Sequence, residues 1–544
     1  MNRISRRWRH LSVASMAIVA AGALLLSGCA PSDPSTAPND EGTPVQGGSL
    51  TIQISGDPGG LDQNASYSIE AVNISELIFE KLFALDASNT PHPMLVDTYD
   101  LSDDRKTYTF HLREGVTFSD GKPLTSEDVV ESLNYWMRVN GQGKIVAGDV
   151  ESLEATDDLT VTLKLTKPRY PLIVELTGVG TGILEADVAK GLDATGFTQE
   201  QAIGTGPYKL ESWDPNEQLT VVRNDAYSSL ADEESGYAGA KHAYLDSITF
   251  KIVADPDAVK NGLLTGQWLY ASPTPDSYPE LKANPDLVVN TLSGGNLNLL
   301  VLNHAFEGSI FSKSEARDAL SLVLDKPGIM AATGGSPDLT VESAALTPEA
   351  STIMYSTAGD AEYAKHDPDK AKELFAKAGY SDDKPIQILT TNAFPAFQAW
   401  ATLVQDQLSS IGVKSEIQAY DFVTMLAQWQ GYPDKWDIVP IFFNGDFPSP
   451  GQMNVLQSAA APATETHGEI ADDRSQDLLA ALADYNEVDN ADDAHKIMDT
   501  ITEIVARDKP AIILGMTRPY AAYSPKLKGY DNYWYVFWNS WIAE

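Results

Sequence analysis

The histidine, cysteine and serine residues of this chain lack the spacing that metal binding or nucleophilic catalysis requires. None of the eight histidines lies four residues from another, and no His-Glu-x-x-His occurs, so no clustered transition-metal site is expected. No Gly-x-Ser-x-Gly is present, and Cys29 is the only thiol. The pattern therefore predicts neither a metal nor a covalent nucleophile.

Two glycine-containing segments fall short of phosphate-binding loops. Gly178, Gly180 and Gly182 stand at alternate positions, whereas a dinucleotide-binding loop has its third glycine one position later. Gly121-Lys122 is followed by proline and lacks a glycine five positions earlier, which excludes a Walker loop. No cofactor is expected. The 76 acidic residues still place some carboxylates side by side, so an extracellular hydrolase stays open as the less favoured alternative.

One carboxylate, Asp446, stands in a position suited to binding. The segment from Trp436 to Phe443 is largely apolar and predicts a buried strand, after which Asn444 and Gly445 lead to Asp446. A carboxylate on a loop at the end of a buried strand lies at the mouth of a cleft, where a reduced dielectric strengthens its attraction for an ammonium group. From the residues alone, an Asp that caps a turn before Pro448 is the favoured interpretation.

Neighbouring segments predict the elements that would position this loop. Ile386–Thr390 and Val413–Ile417 have strand patterns, and the helical pattern of Ala399–Ile411 lies between them, which predicts a βαβ unit with a parallel sheet. Thr107–Leu112 alternates and predicts one strand of a hairpin with the short segment around Phe118. Ala511–Leu514 is expected to be the strand that returns the chain to a first lobe.

The N-terminus has the pattern of an exported lipoprotein. Arginines precede an uncharged run from Leu11 to Leu26, and Leu26-Ser27-Gly28-Cys29 follows at once. Residues 1–28 are therefore expected to be a signal peptide and Cys29 the site of lipid attachment. Residues 29–48 are rich in Pro, Ser, Thr, Asp and Gly and predict a flexible tether. A membrane-spanning anchor is the alternative, although the run is shorter than the roughly 20 residues a spanning helix needs.

The net charge and the length of the chain bear on its possible ligands and on its number of lobes. With 38 basic and 76 acidic residues, the chain has a net charge of −38 and lacks the positive surface that nucleic-acid binding requires. Its 544 residues exceed the about 250 to 300 at which single cores stop growing, so two lobes are expected.

A long run of residues carries a family resemblance. Phe79–Asp86, Pro93–Val96 and Asp103–Val130 occur in the order and spacing typical of the family 5 extracellular solute-binding proteins, the peptide-binding subunits of bacterial ATP-driven importers. Gly204–Leu210, Val221–Tyr227 and Asp367–Tyr380 resemble further blocks of that family. The chain resembles this family over essentially all of residues 48 to 530.

The resemblance implies an α/β, two-lobed periplasmic-binding-protein-like fold of type II, in the large variant with an extra subdomain in lobe I. Residues 49–78, 199–290 and 515–544 would form the lobe I core. Residues 79–198 would form the extra subdomain, and residues 291–514 would form lobe II. The chain would cross between lobes near Leu287–Asn296 and again near Ala511–Thr517.

The resemblance also implies a function. The chain would be the substrate-binding lipoprotein of an ABC transporter, anchored by its lipid to the outer face of the cytoplasmic membrane, and would work as a monomer. It would capture peptides outside the membrane and deliver them to a permease with its ATPases, with no catalysis. Binding of an oligosaccharide or another non-peptide solute, and a sensory receptor role, remain as alternatives.

Ligand contacts are implied at six positions. Asp446 matches the residue that pairs with the α-ammonium of a bound peptide, Phe443 would form an aromatic wall, and Asn444 stands between them. Asn392 and Tyr67 lie on loops that carry ligand contacts in relatives. Trp429 could provide a stacking surface or belong to the core. Arginines for a ligand carboxylate are not evident, which leaves the need for a free C-terminus open.

Overall fold

The computed structural model describes residues 42–65, 68–292, 294–304, 306–444, 449–450, 475–531 and 536–543. The predicted signal peptide, Cys29 and most of the predicted tether lie outside these ranges. Within the described ranges, no helix combines the length and the apolar character needed to cross a membrane.

The described residues form both strands and helices. The strands are β1 Ser49–Ile54, β2 Phe83–Leu85, β3 Pro91–Pro93, β4 Val96–Leu101, β5 Thr107–Leu112, β6 Val150–Asp157, β7 Thr160–Leu165, β8 Tyr208–Asp214, β9 Gln218–Arg223, β10 Ser247–Ile252, β11 Tyr270–Ala271, β12 Val288–Thr291, β13 Asn296–Leu302, β14 Thr340–Val341, β15 Ile386–Thr391, β16 Ser415–Tyr420, β17 Ile438–Asn444, β18 Ala511–Thr517, β19 Tyr520–Tyr523, β20 Leu527–Lys528 and β21 Trp541–Ile542. The helices are α1 Ile69–Ile78, α2 Ser126–Val139, α3 Gly141–Ala147, α4 Leu172–Glu175, α5 Ala186–Ala189, α6 Pro256–Leu264, α7 Tyr278–Lys282, α8 Ser314–Val323, α9 Lys326–Thr333, α10 Asp360–Tyr363, α11 Pro368–Ala378, α12 Pro395–Ser410, α13 Phe422–Gly431, α14 Ser475–Glu487 and α15 Ala491–Asp508.

A first lobe forms around the sheet β1-β10-β9-β8. β1 runs parallel to β10, and the other neighbours pair antiparallel. Leu50, Ile52 and Ile54 of β1 are all buried, because their alternate spacing turns them to one face of the sheet. A small sheet of order β11-β19-β12 belongs to the same side of the molecule.

A separate antiparallel sheet, of order β4-β5-β7-β6, is inserted into the first lobe. We call residues 83–189, which surround this sheet, the insert. The strand predicted at Thr107–Leu112 is confirmed, but the predicted hairpin is wrong. β5 pairs with β4 and β7. The segment around Phe118 forms a turn in which the amide of Phe118 donates to the carbonyl of Lys122 over 2.8 Å, beside a single bridge between Thr117 and Pro123. The capping pattern that starts α2 is present, since Asp128 Oδ2 accepts from both the amide and the hydroxyl of Thr125, each over 2.8 Å.

The second lobe, residues 296–517, is built on the sheet β14-β18-β13-β17-β15-β16. The predicted βαβ unit is confirmed: β15 and β16 pair in parallel and α12 connects them. Helix α11 begins after the cap Asp367 and ends at Gly379 in the left-handed conformation (φ +84°), as its terminal residues predict.

The chain crosses between the lobes twice. The first crossing lies between β12 and β13, and the second lies at residues 518–519, between β18 and β19. The expectation that Ala511–Leu514 returns the chain to the first lobe is wrong, because β18 pairs with β13 along its length from Ala511 to Thr517. Its apolar residues complete the buried centre of the second sheet, so the return comes only after Thr517.

Candidate functional site

The end of β17 lies beside both crossings between the lobes. Asn444, the last residue of this strand, is paired with Asn296, and Asn296 is paired on its other side with Thr517. The loop that follows β17 therefore leaves the sheet where both connections to the first lobe begin. Asp446 and the side chain of Asn444 lie outside the described residues, so their predicted roles stay predictions.

The aromatic residues before this loop contribute to the core of the second lobe. Phe443 is half-buried and packs against that core. The ring of Phe442 lies 5.9 Å from that of Phe394 and 5.3 Å from that of Phe397, both in edge-on contact. Phe397 in turn stacks on Trp400 at 5.5 Å. The strand end is thus held by aromatic packing on one face, and the role of the half-buried Phe443 as an aromatic wall stays a prediction.

The other predicted ligand residues of the second lobe differ in exposure. Asn392 directly follows β15 and is exposed, and its side-chain oxygen accepts a hydrogen bond from Gln398. Trp429 is only 5% exposed and belongs to the core, and its carbonyl accepts from Trp436 Nε1 over 3.1 Å. Asn392 is therefore accessible, and its ligand contact stays a prediction, whereas little of the Trp429 indole is accessible.

In the first lobe, the loop after β1 is hydrogen-bonded to the insert. Tyr67 lies outside the described residues, so its predicted ligand contact stays a prediction. The carboxylate of Asp62 accepts from Tyr135 OH over 2.8 Å and from the amide of Asn64 over 2.9 Å. Burial raises the pKa of the Asp62 carboxyl, against these hydrogen bonds, which lower it.

The same loop closes on a glycine-containing turn. The amide of Gly180 donates to Gln63 Oε1 over 2.9 Å, and Asn64 Nδ2 donates to the carbonyl of Gly180 over 3.1 Å. Gly180 has a φ of +87°, and a Cβ there would lie 2.1 Å from Asn64 Oδ1. Only glycine permits this approach. Sequence reasoning tested these glycines against a cofactor loop alone and missed their contact with the loop after β1.

A buried ionic cluster lies where the insert meets the segment after β17. Arg169 donates to Glu175 twice, each time over 2.6 Å, and to Asp149 over 2.7 Å. Burial alone would lower the pKa of Arg169, but the two carboxylates outweigh it and the pKa is raised. Ser449 Oγ donates to Glu175 Oε1 over 3.1 Å. In the sequence, these residues appear as charges within or beside an otherwise apolar segment.

Further contacts join the insert to the second lobe. Arg105 forms an ion pair with Asp489 and donates to the carbonyl of Val488 over 2.6 Å. The amide of Tyr170 donates to the carbonyl of Asn486 over 2.8 Å. These contacts connect the insert of the first lobe directly to the second lobe.

The described residues contain no group of three or more His, Cys, Asp or Glu side chains arranged to hold a metal ion. The described residues form sheets in two lobes, joined by two crossings, and β17 ends beside those crossings. Such an arrangement can enclose a small solute between two lobes.

Comparison with known proteins gives three findings. The sequence profile of the bacterial extracellular solute-binding proteins, family 5 (middle), matches residues 90–463. The probable peptide ABC transporter periplasmic-binding protein y4tO of Sinorhizobium fredii is 30% identical over 358 residues, which are 63% of this chain and 65% of that protein. The glutathione-binding protein GsiB of Salmonella paratyphi A is 25% identical over 84% of this chain and 86% of its own length.

A solved structure gives the same fold over most of the chain. The oligopeptide-binding protein AppA of Bacillus subtilis, in complex with a nonapeptide, superposes with a TM-score of 0.76 and covers 92% of this chain and 100% of its own. The two sequences are 21% identical, so the comparison establishes the fold alone. The expected two-lobed α/β architecture of type II is confirmed.

Proposed function

Because this chain belongs to the bacterial extracellular solute-binding proteins of family 5, we propose that it captures peptides outside the membrane and delivers them to the permease of an ABC importer. ATPases coupled to the permease would drive uptake, and the chain itself would make or break no bond. The named relatives, a peptide-binding and a glutathione-binding protein, support a peptide as the class of ligand.

The observation that carries the proposal is the position of the β17 end. Its last residue, Asn444, pairs with Asn296 next to one crossing, and Asn296 pairs with Thr517 next to the other. A ligand held by the following loop would therefore lie at the hinge and contact both lobes when they close. Closure around a ligand is the motion that this class of two-lobed fold uses.

We assign the recognition of the peptide's amino terminus to Asp446. A carboxylate enclosed at the seam between two lobes attracts an ammonium group more strongly than it would in water, because the surrounding dielectric is reduced. Phe443 would provide an aromatic wall beside it, and Asn444, Asn392 and Tyr67 would offer polar contacts. The buried Trp429 would support this wall from the core. Recognition of main-chain groups would leave the preference for peptide side chains broad.

We further propose that the mature chain is a lipoprotein, attached through Cys29 to the outer face of the cytoplasmic membrane. A lipid on residue 29 and a flexible segment to residue 48 would keep the receptor near its permease without inserting it. Substitution of Cys29 by Ser should release the chain into the medium or the soluble fraction. An unchanged membrane-bound fraction, with no lipid mass on the wild-type N-terminal peptide, would contradict this assignment.

The experiment that tests the proposed ligand class is native mass spectrometry of the chain after mild purification. The expected result is a population carrying a small ligand that denaturation releases and fragmentation identifies as a peptide. A retained sugar or other non-peptide solute would instead support the alternative ligand class. Conversion of added peptides to new products would support the hydrolase alternative. Loss of uptake on deletion of a neighbouring permease gene separates a transport role from a sensory one.

A further inference from the structure

A cavity of about 380 Å³ lies between the insert and the second lobe. This volume falls within the range of small-molecule pockets, about 300 to 1,000 Å³. Apolar and aromatic side chains from both sides form most of its wall. The insert supplies Phe83, Tyr99 and Val174, and the second lobe supplies Ile353, Met354 and Tyr485.

The insert side of the cavity is a packed aromatic surface. The ring of Tyr99 lies 5.6 Å from that of Phe83 and 6.3 Å from that of Phe110, and Phe110 stacks on Tyr108 at 5.9 Å. Tyr99 is nevertheless 42% exposed, and Leu101, which also lines the cavity, is 40% exposed. Both belong to β4, an outer strand of its sheet, so the cavity reaches solvent along that strand. Apolar surface left accessible beside a cavity favours an apolar occupant.

Four polar side chains at the cavity form two pairs. Arg105 forms its ion pair with Asp489, and Asn89 Nδ2 donates to Ser351 Oγ over 2.9 Å. Each pair joins the insert to the second lobe. Because the two charges compensate each other, a charged occupant would gain no partner here and would lose its hydration. An uncharged group would lose far less favourable hydration on entering the cavity.

We propose that this cavity is a second binding site, which takes an uncharged aromatic or branched aliphatic group about the size of an indole ring. The group can be a side chain of the captured peptide or a separate small apolar solute. Since the walls come from both lobes, an occupant stabilises the closed arrangement. The proposal rests on the proposed function only in its peptide form, because a separate apolar solute would bind whether or not the seam takes peptides.

The test uses indole as the probe and saturation-transfer NMR with calorimetry as the readout. The wild-type chain should bind indole. Tyr99→Ala should weaken that binding about tenfold, because the loss of one aromatic contact of about 1.4 kcal/mol changes affinity by that factor. Val174→Phe, which places a ring inside the cavity, should abolish it. Tyr432→Ala removes a comparably accessible tyrosine, 51% exposed and outside the cavity, and should leave indole binding unchanged.

Two peptides that differ only in one aromatic or alanine residue distinguish the sources of the group. If the peptide side chain occupies the cavity, Tyr99→Ala weakens binding of the aromatic peptide and not of the alanine peptide. If a separate solute occupies it, Tyr99→Ala binds both peptides with wild-type affinity, and only its affinity for indole is reduced. If neither peptide binds wild type but indole binding follows the variants, the site stands and the proposed function fails. Indole binding that is absent from the wild type, or equal in all variants, overturns the site.

Discussion

Ser449 donates a hydrogen bond from Oγ to Glu175 Oε1 over 3.1 Å and thereby joins the segment after β17 to the insert, 274 positions away along the chain. Glu175 is 1% exposed and is held by Arg169, so its carboxylate is fixed before Ser449 reaches it. The bond requires the second lobe and the insert to be together. We therefore expect this bond to be lost when the two lobes separate.

Replacement of Ser449 by Ala should weaken peptide binding by several fold with little change in thermal stability. A single hydrogen bond contributes about 1 kcal/mol, and this one contributes to closure rather than to either core. Calorimetry with the retained peptide and thermal unfolding together measure the two effects. The control is Ser343→Ala, which removes a hydrogen bond to Asp360 within the second lobe. That variant should lose stability and keep its affinity; the reverse pattern would contradict a role of Ser449 in closure.

Arg105 should contribute to closure in the same way. Its contacts with Asp489 and with the carbonyl of Val488 connect the insert to the second lobe, at a partly exposed position. Because exposed ion pairs contribute about 1 kcal/mol or less, Arg105→Ala should lower peptide affinity by about tenfold at most, and the difference should shrink at high salt. Arg138→Ala is the matched control, since Arg138 donates to Leu192 within the first-lobe region. Equal loss of affinity in the two variants would refute the assignment.

Asp446→Asn should weaken binding of a peptide with a free amino terminus by tens of fold, because a charge-assisted hydrogen bond is replaced by a neutral one. Binding of the same peptide with an acetylated amino terminus should be weak in the wild type and nearly unaffected by the substitution. Calorimetry with both peptides measures the difference. Equal affinity of the wild type and the variant for the free-amine peptide would remove Asp446 from the site.

Lys326 makes the stability of the second lobe depend on pH. It is 2% exposed, and burial lowers the pKa of its ammonium to about 8, with Lys509 adding to the effect and Glu362 and Asp325 opposing it. In the unfolded chain a lysine titrates near 10.4. Between these two values the unfolded chain binds a proton that the folded chain does not, so the stability contributed by this group rises with pH. Below about pH 8 the folded protein carries the full cost of a buried charge.

Lys326→Met should therefore raise the free energy of unfolding more at pH 7 than at pH 10. We call the difference between these two increases the gap, and it should be at most about 3 kcal/mol. Urea unfolding of both proteins at the two pH values measures it. Loss of the hydrogen bond from Lys326 Nζ to the carbonyl of Ser321 affects both conditions alike. Lys372→Met changes an exposed lysine of α11 and should show no such pH dependence. A gap of equal size in the control would contradict the assignment to Lys326.

Local signals in the sequence specify much of the fold. The cap of α2 at Thr125, the start of α11 after Asp367 and its end at Gly379 each depend on residues within one turn of the helix, so the chain specifies them directly. The βαβ unit around α12 follows from the periodicity of three consecutive segments. These features need no knowledge of the rest of the molecule.

Pairings between distant segments were not predictable in the same way. β5 pairs with β7, and β18 pairs with β13, but the pattern of an alternating or apolar strand does not specify which distant segment it pairs with. The contact between Ser449 and Glu175 and the closure of Asn64 on Gly180 depend equally on tertiary structure. The position of Trp429 was equally unpredictable, because a tryptophan that could stack on a ligand could also belong to the core. In the structure its side chain is buried.

The most direct test of the central claim is thermal unfolding of the chain, freed of retained ligand by unfolding and refolding, in the presence of separate peptides, sugars and other solutes. A solute that binds only the folded chain stabilises it by about 2.7 kcal/mol at a concentration a hundred times its Kd. We predict that short peptides with a free amino terminus raise the Tm and that their acetylated forms do not. If no solute raises the Tm, the chain is not a receptor that closes on a small ligand.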